Sequence, residues 1–208
     1  MKRNENCNRC MLCTHPYHTI CLWGRGPVPA KLMIIGEAPG REEDRRGEPF
    51  VGAAGKLLDH IISKLGLDVG AGLFDYDIYF TNVVKCRPHE NKLPTGQDLR
   101  DVLEACWPYL EQEIKDVDPK AILILGGTAM HFLLGLSQVT KYESMEVETL
   151  YSGAKTFVGL HPAYILRSPS KEVNLAQSIA IAAKAAGLKV KGKNLEDGGG
   201  MYPYEVRS

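Results

Sequence analysis

The chain of 208 residues carries no net charge, since 25 Lys and Arg are matched by 25 Asp and Glu. That balance excludes a basic nucleic-acid coat and an acidic solvating tail as global properties, so a polyanion must be met by a local patch. No stretch approaches the roughly 18 consecutive apolar residues of a membrane helix, and the start, Met1 to Arg9, is charged and polar with no signal-peptide core behind it. Neither an internal repeat nor a lysine-nucleophile motif is found. The expectation is a cytoplasmic, monomeric protein with no membrane partner. Its 44% of hydrophobic residues supply a real core. One domain is expected over residues 1–188, followed by a mobile tail over 189–208 that contains Gly198-Gly199-Gly200 and little apolar patterning.

Cysteine, by contrast, is plentiful for a compartment in which stable disulfides are rare. Four of the six, Cys7, Cys10, Cys13 and Cys21, fall within fifteen residues, and the distant pair Cys86 and Cys106 can complete a site. Metal or cluster ligation is the reading this spacing supports, against unliganded thiols. Spacing leaves a structural zinc and an iron–sulfur cluster equally open.

The rest of the chain alternates short apolar runs with helical periodicity. Strands are expected at Lys31–Gly36, Asp77–Val84, Ala121–Leu125 and Thr156–Leu160, with helices over Gly52–Leu65, Thr95–Ile114, a segment through Ala129 to Leu134, and Lys171–Ala186. Parallel neighbours need crossovers, and the crossovers cover the sheet's faces. The expected fold is therefore α/β, a three-layer αβα sandwich on a central, mainly parallel four-stranded sheet. Binding crevices in such folds lie at the carboxyl ends of the strands, where Gly36-Glu37-Ala38-Pro39-Gly40, Thr81-Asn82, Gly126-Gly127 and His161-Pro162 all fall.

Those strand ends, with Glu43-Asp-Arg-Arg-Gly-Glu-Pro-Phe-Val-Gly52, Thr81-Asn-Val-Val-Lys-Cys-Arg-Pro88 and His161-Pro-Ala-Tyr-Ile-Leu-Arg167, occur in the order found in one family. From about Cys7 to Pro169 the chain resembles the family 4 uracil-DNA glycosylases, which carry an iron–sulfur cluster. The resemblance implies a uracil-DNA glycosylase-like fold and a [4Fe–4S] cluster held by four cysteines. Cys86 and Cys106 match the distal ligands. Cys7 and Cys10 are the preferred proximal pair, with Cys10 and Cys13 as the alternative.

The resemblance also implies a monofunctional DNA repair glycosylase that flips uracil out of DNA and hydrolyses its N-glycosidic bond, leaving an abasic site. Phe50 stacks on the base in this reading. Asn82 accepts from N3–H and donates to O4, a pattern cytosine reverses. Glu43 lies near C5, where thymine carries its methyl, and the Ala38 amide binds the base. His161 donates to O2 as charge grows on the leaving uracil, and Glu37 positions the water and stabilises the cationic sugar. A sister family places an aspartate where this chain has Ala38, so the water-activating role falls on Glu37 by resemblance alone.

Uracil-containing DNA is the expected partner, held by phosphate contacts from Lys85, Arg87 and Arg167, with Ile165 and Leu166 as the wedge that fills the gap left by the flipped nucleotide. The chain departs from the family at Arg87-Pro88-His89-Glu90-Asn91, where a second proline is usual. A related class uses a loop histidine covalently, but its long basic insertion is absent, so His89 reads as a surface residue. The competing function is a non-catalytic iron–sulfur DNA-binding or replication-associated module of the same fold. A zinc-stapled binding protein is the third reading.

Overall fold

The computed structural model describes residues 7–14, 20–67, 77–148 and 153–191. Four parallel strands, β1 (Leu32–Gly36), β2 (Ile78–Asn82), β3 (Ala121–Leu125) and β5 (Lys155–Gly159), lie where apolar runs predict them. The sheet has a fifth, β4 (Glu146–Val147), so the expected count of four is one short. Two residues are too few for an alternating pattern to register, and β4 pairs antiparallel with β5 at the edge of the order β2-β1-β3-β5-β4.

Strand β2 is shorter than its apolar run. Beyond Asn82 the amides of Val83 and Val84 leave the ladder register and donate to the carbonyls of Gly36 and Glu37 at 3.0 and 2.9 Å. The run to Val84 is apolar because those two side chains are buried too.

Side-chain alternation on the strands sorts the core into two layers. Leu32, Ile34, Phe80 and Leu123 face α3 (Ala53–Lys64) and α8 (Glu172–Ala185), which contribute Leu58, Ile61, Ile62, Leu175 and Ile179. Met33, Ile35, Tyr79, Ile122 and Ile124 face α4 (Gly96–Val117) and α5 (Gly127–Leu134), which contribute Val102, Leu110, Met130 and Leu133. This is the three-layer sandwich that the sequence pattern predicts. Helix α4 ends three residues later than expected, at an Asp118 in the left-handed region whose amide bonds the Ile114 carbonyl.

Four short helices escape the periodicity argument: α1 (Met11–Thr14), α2 (Arg41–Arg46), α6 (Val139–Tyr142) and α7 (Pro162–Ile165). One turn is too short to show an apolar stripe, and α2 reads Arg-Glu-Glu-Asp-Arg-Arg with no buried residue. The expected tail does not start loose at residue 189: Val190 packs against the first core layer and the Lys191 amide donates to the Leu65 carbonyl at 2.8 Å. Residues 192–208, which hold the glycine run, lie outside the described residues, as do 1–6. No described helix is long and apolar enough to cross a membrane.

Candidate active site

A cleft of about 270 Å³ opens at the carboxyl ends of β1 and β2, and its lining includes Glu37, Ala38, Glu43, Phe50, Asn82 and His161. These six side chains come from four separate stretches of chain. Its size suits one small planar ring, being below the usual range for drug-sized ligands.

Gly36, the last residue of β1, is buried among three of the lining side chains. Its register partner across the sheet is Asn82, which is 4% exposed. A methyl built on Gly36 would lie 2.6 Å from Asn82 Oδ1, 2.6 Å from Phe50 Cζ and 3.4 Å from His161 Nε2. Three polar or aromatic groups therefore converge on one bare Cα, and glycine is required there for space, not for a special backbone angle.

Phe50 reaches the cleft with φ at 56°, the left-handed region that costs a non-glycine residue roughly 1–3 kcal/mol. Gly55 in α3 makes this possible, since a Cβ there would sit 1.9 Å from the Phe50 carbonyl oxygen. The ring lies 6.0 Å from that of Phe80 and 6.4 Å from the His161 imidazole, the latter at an interplanar angle of 29°.

His161 is the N-cap of α7, with Pro162 at the first helical position, where its missing N–H leaves no bond unmade. The His161 Nδ1 accepts the Ala163 N–H at 3.2 Å. In the neutral ring the proton therefore sits on Nε2, the nitrogen nearer Gly36. Burial is the main cause that pushes its pKa below the ordinary histidine value; Glu37 and Glu43 pull the other way and Arg167 adds to the lowering. Gly126, with φ at 89°, lies against the ring, its absent Cβ only 3.1 Å from His161 Cβ.

Glu43 is tied into the loops. Its Oε2 accepts the Gly40 amide at 3.1 Å and its Oε1 the Gly52 amide at 2.7 Å, so one carboxylate clasps the turn after β1 to the turn before α3. Glu37 and Ala38 line the cleft unclasped, the Glu37 carbonyl being held by Val84. Pro88, Asn91 and Ala163 also line it, although the motifs assign them no part. The Arg87 Nε donates to Asn91 Oδ1 at 2.7 Å, so this loop is braced by its own arginine. His89 is exposed and is not part of the lining.

Two expected DNA contacts are corrected. Lys85 is 1% exposed and ion-paired with Glu113 of α4, which is 0% exposed, so its charge is not available to a phosphate. The same carboxylate accepts from Tyr79 Oη at 3.1 Å, Thr81 Oγ1 at 2.7 Å and the Gly24 amide at 2.6 Å, which satisfies both oxygens. Ile165 is 1% exposed and packs in the first core layer, so it cannot enter a base stack. Leu166, 48% exposed, and Arg167 remain at the surface beside the cleft.

None of the six cysteines forms a disulfide. Cys86 and Cys106 lie in the second core layer, and Cys7 and Cys10 pack against it. Burial pushes the Cys106 thiol up to about 12, with Cys86 and Cys10 adding to the rise. Cys10 is raised to about 11, again by burial first, with Cys13 and Cys86 adding to the rise. Cys10, Cys86 and Cys106 thus share one neighbourhood. Cys13 lies one helical turn from Cys10, its Sγ 2.8 Å from the Cys10 carbonyl. Among the described residues no three His, Cys, Asp or Glu side chains gather as a single metal ion requires.

The profile of the uracil DNA glycosylase superfamily matches residues 23–183. The chain is 36% identical to the type-4 uracil-DNA glycosylase of Pyrobaculum aerophilum over 85% of its own length and 88% of the relative's. It is 35% identical to the one from Thermotoga maritima, over 83% and 84%. With that of Archaeoglobus fulgidus it shares 37% identity over 79% and 80%. Profile, relatives and fold agree: this chain belongs to the uracil DNA glycosylase superfamily and, within it, to the type-4 uracil-DNA glycosylases, enzymes that hydrolyse N-glycosyl bonds.

Proposed function

We propose that this enzyme draws uracil out of DNA into the cleft on Gly36 and hydrolyses its bond to the deoxyribose, leaving free uracil and an abasic site. The observation that carries the reading is the convergence of Asn82, Phe50 and a neutral His161 on that one glycine.

Each group has a task its chemistry suits. The Asn82 amide accepts from uracil N3–H and donates to O4; cytosine presents the reverse pattern and leaves donor facing donor. An unpaired buried polar group costs roughly 1–3 kcal/mol, so two mismatched contacts give useful discrimination. Phe50 offers its ring face to the base, and the Ala38 amide adds a backbone donor. His161 donates through Nε2 to O2 as negative charge develops there, which a neutral imidazole does without giving up its proton. Glu37, acceptor-only when ionised, orients the water and offsets the positive charge on the sugar. Glu43 acts by fixing the walls: its clasp on Gly40 and Gly52 sets the width of the cleft at the uracil C5 edge.

DNA is held by backbone contacts from Arg87 and Arg167, with Leu166 as the apolar wedge. The cysteines around the second core layer supply the all-thiolate donor set that a [4Fe–4S] cluster takes, with Cys10, Cys86 and Cys106 joined by Cys7 or Cys13. Such a cluster supplies a covalent staple between the N-terminal segment, the loop after β2 and α4, and no catalytic step passes through it. Zinc is the alternative staple. It gives no visible absorption, whereas a cluster gives colour and labile sulfide. The enzyme is proposed to act as a monomer in the compartment that holds the genome.

The test is abasic-site formation on matched oligonucleotides carrying one uracil, thymine or cytosine, single- and double-stranded, with anaerobically purified protein. Conversion of the uracil strand alone is expected. Full DNA binding with no conversion of any strand sinks the reading in favour of a non-catalytic module.

A further inference from the structure

We propose that Arg25 is a positioning residue for excision, acting through the backbone of Phe50; the inference rests on the stacking role proposed for that phenylalanine. Arg25 lies on the N-terminal segment, outside every cleft motif. Its backbone pairs with Phe80 in both directions, the Arg25 amide to the Phe80 carbonyl at 2.9 Å and the Phe80 amide to the Arg25 carbonyl at 2.8 Å. That pairing fixes where the side chain leaves the edge of β2.

The guanidinium carbon then stands 4.5 Å from the centre of the Phe80 ring. Its Nη2 has two hydrogens and two acceptors, Asp59 Oδ1 of α3 at 2.8 Å and the Phe50 carbonyl at 3.3 Å. The second bond is long, but the ring on one side and the carboxylate on the other hold the planar group in place to make it. The Phe50 carbonyl thus accepts from Arg25 Nη2 and lies close against α3 at Gly55, where there is no Cβ to push it away.

This grip matters because of the φ of 56° at Phe50. A non-glycine residue leaves the left-handed region unless its neighbours hold it there. If the carbonyl is released, the peptide can rotate and the ring turns with it, away from the position over Gly36 beside Asn82 and His161. Arg25 touches neither base nor sugar. It fixes the surface on which the base is laid, and Asp59 fixes Arg25.

The experiment is single-turnover excision of uracil with saturating enzyme, a rate constant that a reduced folded fraction does not change. Arg25→Met, Arg25→Lys, Asp59→Asn, Phe50→Ala and the double variant Arg25→Met/Phe50→Ala are compared, with DNA affinity and melting temperature measured beside each. Arg25→Met is expected to slow excision by about tenfold, the scale of one lost charge-assisted bond, without weakening DNA binding. Arg25→Lys keeps most of the rate. Asp59→Asn slows it in the same direction by less, and it stays informative if Arg25→Met melts early, because this carboxylate is half exposed. In the Phe50→Ala background Arg25→Met is expected to have no further effect.

A slow Phe50→Ala enzyme beside a full-rate Arg25→Met enzyme overturns the inference alone. So does an Arg25→Met loss that multiplies that of Phe50→Ala in full, for Arg25 then acts by a route of its own. A full-rate Phe50→Ala enzyme overturns the stacking role, and the inference with it.

Discussion

The Nδ1 of His161 accepts the Ala163 amide at 3.2 Å, and this single bond decides which ring nitrogen faces the cleft with a proton. The capping bond requires a lone pair on Nδ1, so it is made only by an imidazole whose proton is on Nε2. The helix start that terminates β5's loop therefore also sets the tautomer of the proposed leaving-group donor.

His161→Ala should slow excision by about 10²–10³-fold, the scale of losing one preorganised donor to developing charge, and leave cluster absorption unchanged. Comparable activity removes His161 from the chemistry. The folded-state pKa is lowered from 6.5, so the native protein resists the proton that the unfolded chain takes. Below about pH 6.5 stability must then fall with pH until the folded-state pKa is passed, and above that pH His161 contributes no slope. His161→Gln, whose amide does not titrate, should lose less melting temperature than the parent between pH 7.5 and 5.5.

Gly36→Ala tests this convergence of side chains directly. The added methyl enters at 2.6 Å from both Asn82 Oδ1 and Phe50 Cζ, so it displaces the two groups proposed to hold the base. Excision should be abolished, with a loss of stability of about 1–3 kcal/mol from overpacking read by urea unfolding. An alanine enzyme with parental rate places the uracil elsewhere.

Much of this site is legible in the sequence because its parts sit where strands stop. Asn82 and His161 follow apolar runs, and the turn around Phe50 carries its own motif. What stays hidden is what touches the motifs from outside. Glu113 occupies a buried face of α4 whose other members are apolar, and a lone carboxylate there reads as a break in the pattern instead of the hub it is. Lys85 and Ile165 sit in motifs that the resemblance places near DNA, yet each side chain is buried; period-two alternation is lost once β2 ends, so a loop lysine carries no sign of its direction. Arg25 lies between two glycines, where its partners come from β2, α3 and the Phe50 turn, and no local spacing reports them.

Lys85 separates a structural charge from a DNA-binding one. Lys85→Met leaves the Glu113 carboxylate buried without its cation and should cost about 3–5 kcal/mol. Adding Glu113→Gln removes the unpaired charge while keeping an acceptor, and should recover part of the loss. The slope of log affinity for DNA against log salt should not change in the double variant, whereas Arg167→Ala should make it shallower by about one unit. A Lys85 variant of parental stability with a reduced salt slope returns this residue to the DNA surface.

In the proposed cluster set the fourth thiolate is the remaining choice. Cys13 and Cys86 both help to raise the Cys10 thiol, while Cys7 lies against Tyr109, whose hydroxyl it helps to push up to about 12 after burial. Cys7 and Cys13 each lie three residues from Cys10, so either can complete the proposed set. Cys86→Ser and Cys106→Ser should each lower iron and sulfide content and melting temperature together, because ligation free energy is folding free energy in such a segment. Of Cys7→Ser and Cys13→Ser, only one should do the same. The Cys7 variant is expected to be that one, since Cys7 and Cys10 both pack against the core layer that contains Cys86 and Cys106. Loss on Cys13→Ser with a fully loaded Cys7→Ser protein assigns the site to Cys10, Cys13, Cys86 and Cys106 instead. Full metal content with zinc in place of iron in every variant replaces the cluster by a zinc staple.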